Sequence, residues 1–85
     1  MWYVYVVRCS DETLYTGITT DVEKRVNEHN SSKNGAKYTK SRRPVKLVYS
    51  EKAVDRSGAS KREHFIKKLP RVKKIELIKS WRRKE

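Results

Sequence analysis

The chain begins with Trp2-Tyr3-Val4-Tyr5-Val6-Val7, a run of aromatic and β-branched residues of the kind that fills strands. Polar Cys9-Ser10-Asp11-Glu12 follows, and Thr13 to Thr19 again has strand character. Two strands with a short polar connection form an antiparallel hairpin, and this pairing constrains everything downstream. Side chains alternate along a strand, so Tyr3 and Tyr5 share one face while Tyr15 and Gly17 share a face of the partner. One hairpin register puts both triplets, Tyr3-Val4-Tyr5 and Tyr15-Thr16-Gly17, on the same side.

Thr20-Asp21-Val22-Glu23 has the form of a capping box, with Thr20 as N-cap and Glu23 reaching back. The helix it opens runs to about Asn30, before the polar stretch Ser31 to Gly35. Val22 and Val26 make its narrow apolar stripe. Arg25 and His29, four residues apart, stand side by side on the flank of that stripe, at the rim of the core. Lys33 to Pro44 reads as a basic loop carrying Lys33, Lys37, Lys40, Arg42 and Arg43. Val45 to Tyr49 is a third strand. Asp55 is placed to cap a second helix through Leu69, burying Ala59, Phe65, Ile66 and Leu69, with Glu63 at the stripe's edge. Pro70 stops that helix and suits the first turn of another. Val72, Ile75 and Ile78 form the inner face of this last helix, which ends near Trp81 in the basic tail Arg82-Arg83-Lys84. The expected fold is an α/β class of the α+β type, in the order β-β-α-β-α-α. A small, three-stranded, mainly antiparallel sheet flanked by helices forms one domain over residues 1–85.

A chain of 85 residues with 35% hydrophobic content builds one modest core. Its 22 Lys and Arg against 10 Asp and Glu leave a net charge of +12. Packing gains nothing from such an excess, which points to a polyanionic partner, nucleic acid first. A ribosome-associated structural protein would explain the charge too, but gives no reason for Glu63 to accompany Arg25 and His29. The single cysteine, Cys9, excludes an internal disulfide and a cysteine-based zinc cluster, and reads as a small apolar filler. Arg8 interrupts the first apolar run, so neither a signal peptide nor a membrane span fits, and the cytoplasm is the expected compartment. A monomer is the default oligomeric state.

Tyrosine, arginine, histidine and one carboxylate together suit phosphodiester hydrolysis, which needs an activated water, charge stabilisation and help for the leaving oxygen. Glu63 is a hard oxygen ligand for Mg²⁺, an ion that keeps several waters and binds through one or two carboxylates plus substrate phosphate. Arg25 pairs with phosphate oxygens through its planar fork. A tyrosine phenol takes the water's proton. Its reference pKa is about 10, so bringing it to neutrality requires about 4 kcal/mol from Arg25, the metal or a protonated His29. His29 serves alternatively as a relay or as an orienting partner for a tyrosine. Gly17 leaves room for close approach of backbone or ligand.

The ordered set Tyr3-Val4-Tyr5, Tyr15-Thr16-Gly17, Arg25-Val26-Asn27-Glu28-His29-Asn30 and Glu63 resembles the GIY-YIG nuclease superfamily. The basic stretch Gly35-Ala36-Lys37-Tyr38-Thr39 with Arg42-Arg43-Pro44 is similar to the small stand-alone bacterial members, the YhbQ-like proteins. The resemblance implies that Tyr5 and Tyr15 are the motif tyrosines, one of them the general base. It implies that Arg25 stabilises the phosphate, that His29 supports a tyrosine or a proton transfer, and that Glu63 holds a single Mg²⁺ or Mn²⁺. Tyr3 and Gly17 shape the site, and Lys33, Lys37, Lys40, Arg42 and Arg43 bind the nucleic acid, most expectedly DNA. The implied reaction is one-metal cleavage of a DNA strand, in DNA repair or processing. Tyr3 stands where the family has a glycine and Thr16 where it has isoleucine. Many active members carry an asparagine after the glutamate, and none lies between Glu63 and Glu85. A catalytically inactive nucleic-acid-binding module of the same fold is therefore the alternative reading.

Overall fold

The computed structural model describes residues 1–31 and 37–83, with the backbone alone at residues 37, 82 and 83. The order is β1 (Trp2–Arg8), β2 (Leu14–Thr19), α1 (Val22–Ser31), α2 (Lys37–Lys40), β3 (Lys46–Ala53), α3 (Arg56–Lys68) and α4 (Arg71–Arg83). The three strands form one antiparallel sheet in the order β2-β1-β3, so the first strand is the central one. That placement follows from its side chains, because Val4, Tyr5, Val6 and Val7 are all buried and only a central strand covered on both faces can hide such a run.

The two faces of β1 feed two apolar clusters. Val4 and Val6 pack with Val48, Tyr49, Ala59, Ile66 and Ile78, beneath α3 and α4. Tyr5 and Val7 pack with Cys9 and Val45 on the other face, where Val22 and Val26 of α1 close over them. Cys9 is a buried filler, as its position suggested. A register shift between Val6 and Val7 inserts one extra β3 residue, and Val48 and Tyr49 consequently both join the α3 side.

Several local expectations are corrected. The N-cap of α1 is Asp21 rather than Thr20, since the Asp21 carboxylate accepts the Lys24 N–H at 3.1 Å. A carboxylate is the stronger acceptor there, and Thr19 supports the bend by accepting the Asp21 N–H. The segment expected to be a basic loop contains the short helix α2, while Lys33 and Gly35 fall outside the described residues. The third strand runs on to Ala53, beyond Tyr49. Phe65 is 54% exposed, with the Arg62 guanidinium over its ring at 5.1 Å, and Val72 is also exposed. Ile78 is buried on the inner face of α4 as expected, but Leu77 and Trp81 join it there in place of Val72, because the packed face of a helix is chosen by its tilt on the sheet. Asp55 caps α3 as expected, accepting the Gly58 N–H at 2.7 Å.

The hairpin register pairs Tyr5 with Gly17 and Val7 with Tyr15, so the tyrosine triplets do share a face. The Tyr5 ring lies flat across β2. A Cβ added at Gly17 would stand 2.6 Å from the Tyr5 hydroxyl oxygen and 2.8 Å from the carbon bearing it. Glycine is therefore required by space, not by backbone conformation. Two stability changes follow. Ile66→Ala, at a fully buried position, should cost about 2–5 kcal/mol in urea unfolding. Gly17→Ala should cost about 1–3 kcal/mol and displace the Tyr5 ring, seen as large shifts of its aromatic resonances.

Candidate active site

Packing α1 on the Tyr5 face carries His29 into the interior rather than to the rim, and its exposure is 0%. A buried imidazole must satisfy both ring nitrogens. Nε2 lies 2.8 Å from the Tyr5 hydroxyl and Nδ1 lies 2.7 Å from the Thr39 hydroxyl of α2. All three residues are buried, with Tyr5 at 1% and Thr39 at 0%. Tyr15 meets the same imidazole edge-on at 5.4 Å and stacks on Tyr38 at 5.6 Å, with rings 25° apart. The Arg42 guanidinium carbon lies 4.2 Å from the centre of the Tyr38 ring.

Arg25, one turn before His29, is half-buried, donates to Glu28 at 3.1 Å and acts on the Tyr5 hydroxyl. Glu63 arrives from α3, on the opposite face of the sheet. α3 packs on the edge strand β2, and the Tyr5 ring lies over Gly17 of that strand, so the Glu63 carboxylate comes within electrostatic reach of the phenol. The Glu63 charge acts on the Tyr5 hydroxyl. Its own side chain is mostly covered and pairs with Lys67 at 3.3 Å. The structure thus brings Tyr5, Tyr15, Arg25, His29 and Glu63 into one neighbourhood.

Electrostatics alter one expectation. The Tyr5 phenol is not drawn toward neutrality; burial pushes it up to about 12, against the pull of the Arg25 hydrogen bond and with the charges of Tyr15 and Glu63 adding to the rise. Burial also holds His29 below the usual histidine range, aided by the nearby Arg25 and Arg43 cations and opposed by Glu28. At neutral pH the centre is a neutral phenol bonded to a neutral imidazole.

The remaining expected residues separate. Tyr3 lines a groove with Val22, Val26, Leu47 and Trp81, away from the Tyr5–His29 bond. Lys40 is exposed beside Thr39. Arg42 is engaged internally, donating to Asp11 at 3.0 Å and to the Tyr38 carbonyl. Arg43 donates to the His29 carbonyl, tying the segment after α2 to α1. Lys33 and the Lys37 side chain lie outside the described residues. Sequence reading assigned no role to Glu28, Tyr38 or Thr39. Glu28 was findable as an i,i+3 partner of Arg25. Tyr38 and Thr39 had no periodic relation to the hairpin or to α1 that could have marked them.

For a metal, no group of three or more His, Cys, Asp or Glu side chains comes together among the described residues. Glu63 offers one hard carboxylate. That donor set fits an ion which retains its own waters and completes its shell with substrate phosphate, and does not fit a caged ion.

Residues 1–76 match the sequence profile of the GIY-YIG catalytic domain. The chain is 62% identical to a UPF0213 protein of Syntrophus aciditrophicus, over 91% of this chain and 88% of that one. It is 60% identical to the UPF0213 protein DP2720 of Desulfotalea psychrophila, over 93% and 72%. A solution NMR structure of the UPF0213 protein BH0048 from Bacillus halodurans is similar, at 41% identity and TM-score 0.58, with 93% and 84% covered. Catalytic domains of this type are nuclease-like, act on nucleic acid and as a class depend on divalent metal. No helix among the described residues is long and apolar enough to cross a membrane. On the profile, the relatives and the fold together, the chain belongs to the GIY-YIG family, among its small UPF0213 members.

Proposed function

We propose that this protein is a DNA endonuclease that hydrolyses phosphodiester bonds with a single Mg²⁺, working in the cytoplasm in DNA repair or processing. The observation that carries the reading is the Tyr5 hydroxyl, which bonds His29 at 2.8 Å while Arg25 and the Glu63 charge act on the same oxygen. A phenol whose burial pushes its pKa up to about 12 keeps its proton at neutral pH and cannot lose it beforehand. It serves as general base only if it passes its own proton to His29 while taking one from water. His29, kept neutral and within hydrogen-bond reach, is the acceptor that makes this feasible.

Arg25 stabilises the charge on the phosphate through its planar guanidinium fork. Glu63 holds the divalent ion, exchanging Lys67 for it. When bound, that ion supplies charge neutralisation at the phosphate and lowers the pKa of a bound water. Tyr15 orients water or phosphate from its place against His29. Lys33, Lys37, Lys40, Arg42 and Arg43 contribute attraction for the backbone, with Arg42 and Arg43 also serving the fold.

The assay is metal-dependent cleavage of nicked, flapped and branched DNA by the purified chain. Glu63→Gln and Tyr5→Phe should each lower kcat at least about 100-fold while leaving the circular dichroism spectrum unchanged. Activity surviving either change removes the site. A folded protein that binds DNA in a salt-dependent way without turnover supports the inactive module instead, a reading that the Glu63–Lys67 ion pair favours.

The pH profile has a definite sign. Because the His29 pKa is lowered in the folded protein, the unfolded chain binds more protons in the acid range. The neutral-His29 contribution to stability is complete above the unfolded pKa of about 6.5 and is lost as pH falls through the lower folded value. The acid limb of kcat/KM should therefore lie below pH of about 6.5, and stability measured by urea unfolding should decline over the same window. In His29→Gln the decline should be smaller.

A further inference from the structure

Hydrogen bonding around the Tyr5 oxygen is directional. Arg25 carries only donors and lies within reach of the Tyr5 hydroxyl, so toward the guanidinium the phenol oxygen is the acceptor. The phenol's own hydrogen, in a site of 1% exposure, then needs an acceptor, and the imidazole Nε2 stands 2.8 Å away. If Nε2 bore a hydrogen instead, two donors would crowd one oxygen and the buried O–H would lose this partner. Nε2 is therefore bare, and a neutral His29 carries its hydrogen on Nδ1, which faces the Thr39 hydroxyl at 2.7 Å. Every described buried side-chain polar atom has a partner, as this assignment requires.

We infer that Thr39 is a positioning residue: its hydroxyl accepts Nδ1–H, fixes the His29 tautomer and aims an unprotonated Nε2 at Tyr5. The chain of donors runs Arg25 to Tyr5 to His29 to Thr39. It joins the central strand, α1 and the short helix α2.

The inference rests on the proposed nuclease reading only for its catalytic consequence. There, the Tyr5 O–H bond breaks as an N–H bond forms at Nε2, and the phenolate oxygen takes a proton from water. The resulting hydroxide forms a bond to phosphorus as the bond from phosphorus to the leaving oxygen breaks. On the opposite side of phosphorus a water protonates the leaving oxygen; the hydroxide this leaves takes the Tyr5 hydrogen through solvent as Tyr5 regains one from the imidazolium, so the relay ends as it began. Throughout, Thr39 stabilises the imidazolium by holding Nδ1–H, as a third residue orients the histidine in other nucleophile-base sites.

Two measurements decide it. Long-range proton–nitrogen spectra of the full chain, labelled with ¹⁵N at the imidazoles and recorded above the ordinary histidine pKa of about 6.5, report the tautomer directly. The expected wild-type result is Nδ1–H at His29. Thr39→Val should convert it to a mixed or Nε2–H ring, and Thr39→Ser should restore it. In the DNA cleavage assay with Mg²⁺, Thr39→Val should lower kcat about 10- to 100-fold with KM little changed, and Thr39→Ser should recover most of the loss. An Nε2–H tautomer in the wild type, or an unaltered tautomer in Thr39→Val, overturns the assignment. The wild-type spectrum needs no variant to fold. If wild-type chain with Mg²⁺ cuts none of the DNAs, the nuclease reading fails while the spectrum still decides the role of Thr39.

Discussion

A buried hydrogen bond between one phenol and one imidazole organises this molecule. Tyr5 sits on the central strand and His29 on the helix that covers it, and neither can be buried without the other. An unsatisfied polar group in that position would cost on the order of 1–3 kcal/mol, a large part of what a domain of this size has to spare. The bond therefore sets the placement of α1 on the sheet, and with it the position of Arg25 one turn earlier. Gly17 is its silent condition, since any side chain there would occupy the space of the Tyr5 hydroxyl.

The functional arrangement grows from that same bond. The sheet separates the two halves of the site: His29 and Arg25 come from one face and Glu63 from the other. The Glu63 charge reaches the Tyr5 hydroxyl because the phenol extends over the edge strand and α3 packs on that strand. The high pKa of Tyr5 is a direct consequence of its burial, and it makes the imidazole partner indispensable to any role as a base. Structure and chemistry here make the same demand on the same atoms.

Charge is distributed with a comparable economy. Among the described residues, two cations expected to attract phosphate, Arg42 and Arg43, have internal partners. Arg42 holds Tyr38 and Asp11, and Arg43 holds the His29 carbonyl. These contacts fix the basic segment onto the active-site face rather than leaving it as a free polycationic loop. Exposed pairs of this kind add little stability individually, so positioning is their better explanation.

Much of this was legible in the chain. Strand alternation placed both tyrosine triplets on one face, turn chemistry made the hairpin, and Asp55 and Pro70 bounded α3, because each of these depends on neighbours a few residues away. The spacing of Arg25 and His29 put them on one side of α1 for the same local reason. What sequence could not decide was set by packing between distant segments. The tilt of α4 left Val72 exposed and Trp81 half-buried, and Phe65 stayed outside under Arg62. Tertiary contact alone brought Thr39 to His29 and Glu63 round the sheet edge to Tyr5. Local periodicity tells which way a side chain points from its own element, whereas the partner it finds there depends on how whole elements bury their faces against each other.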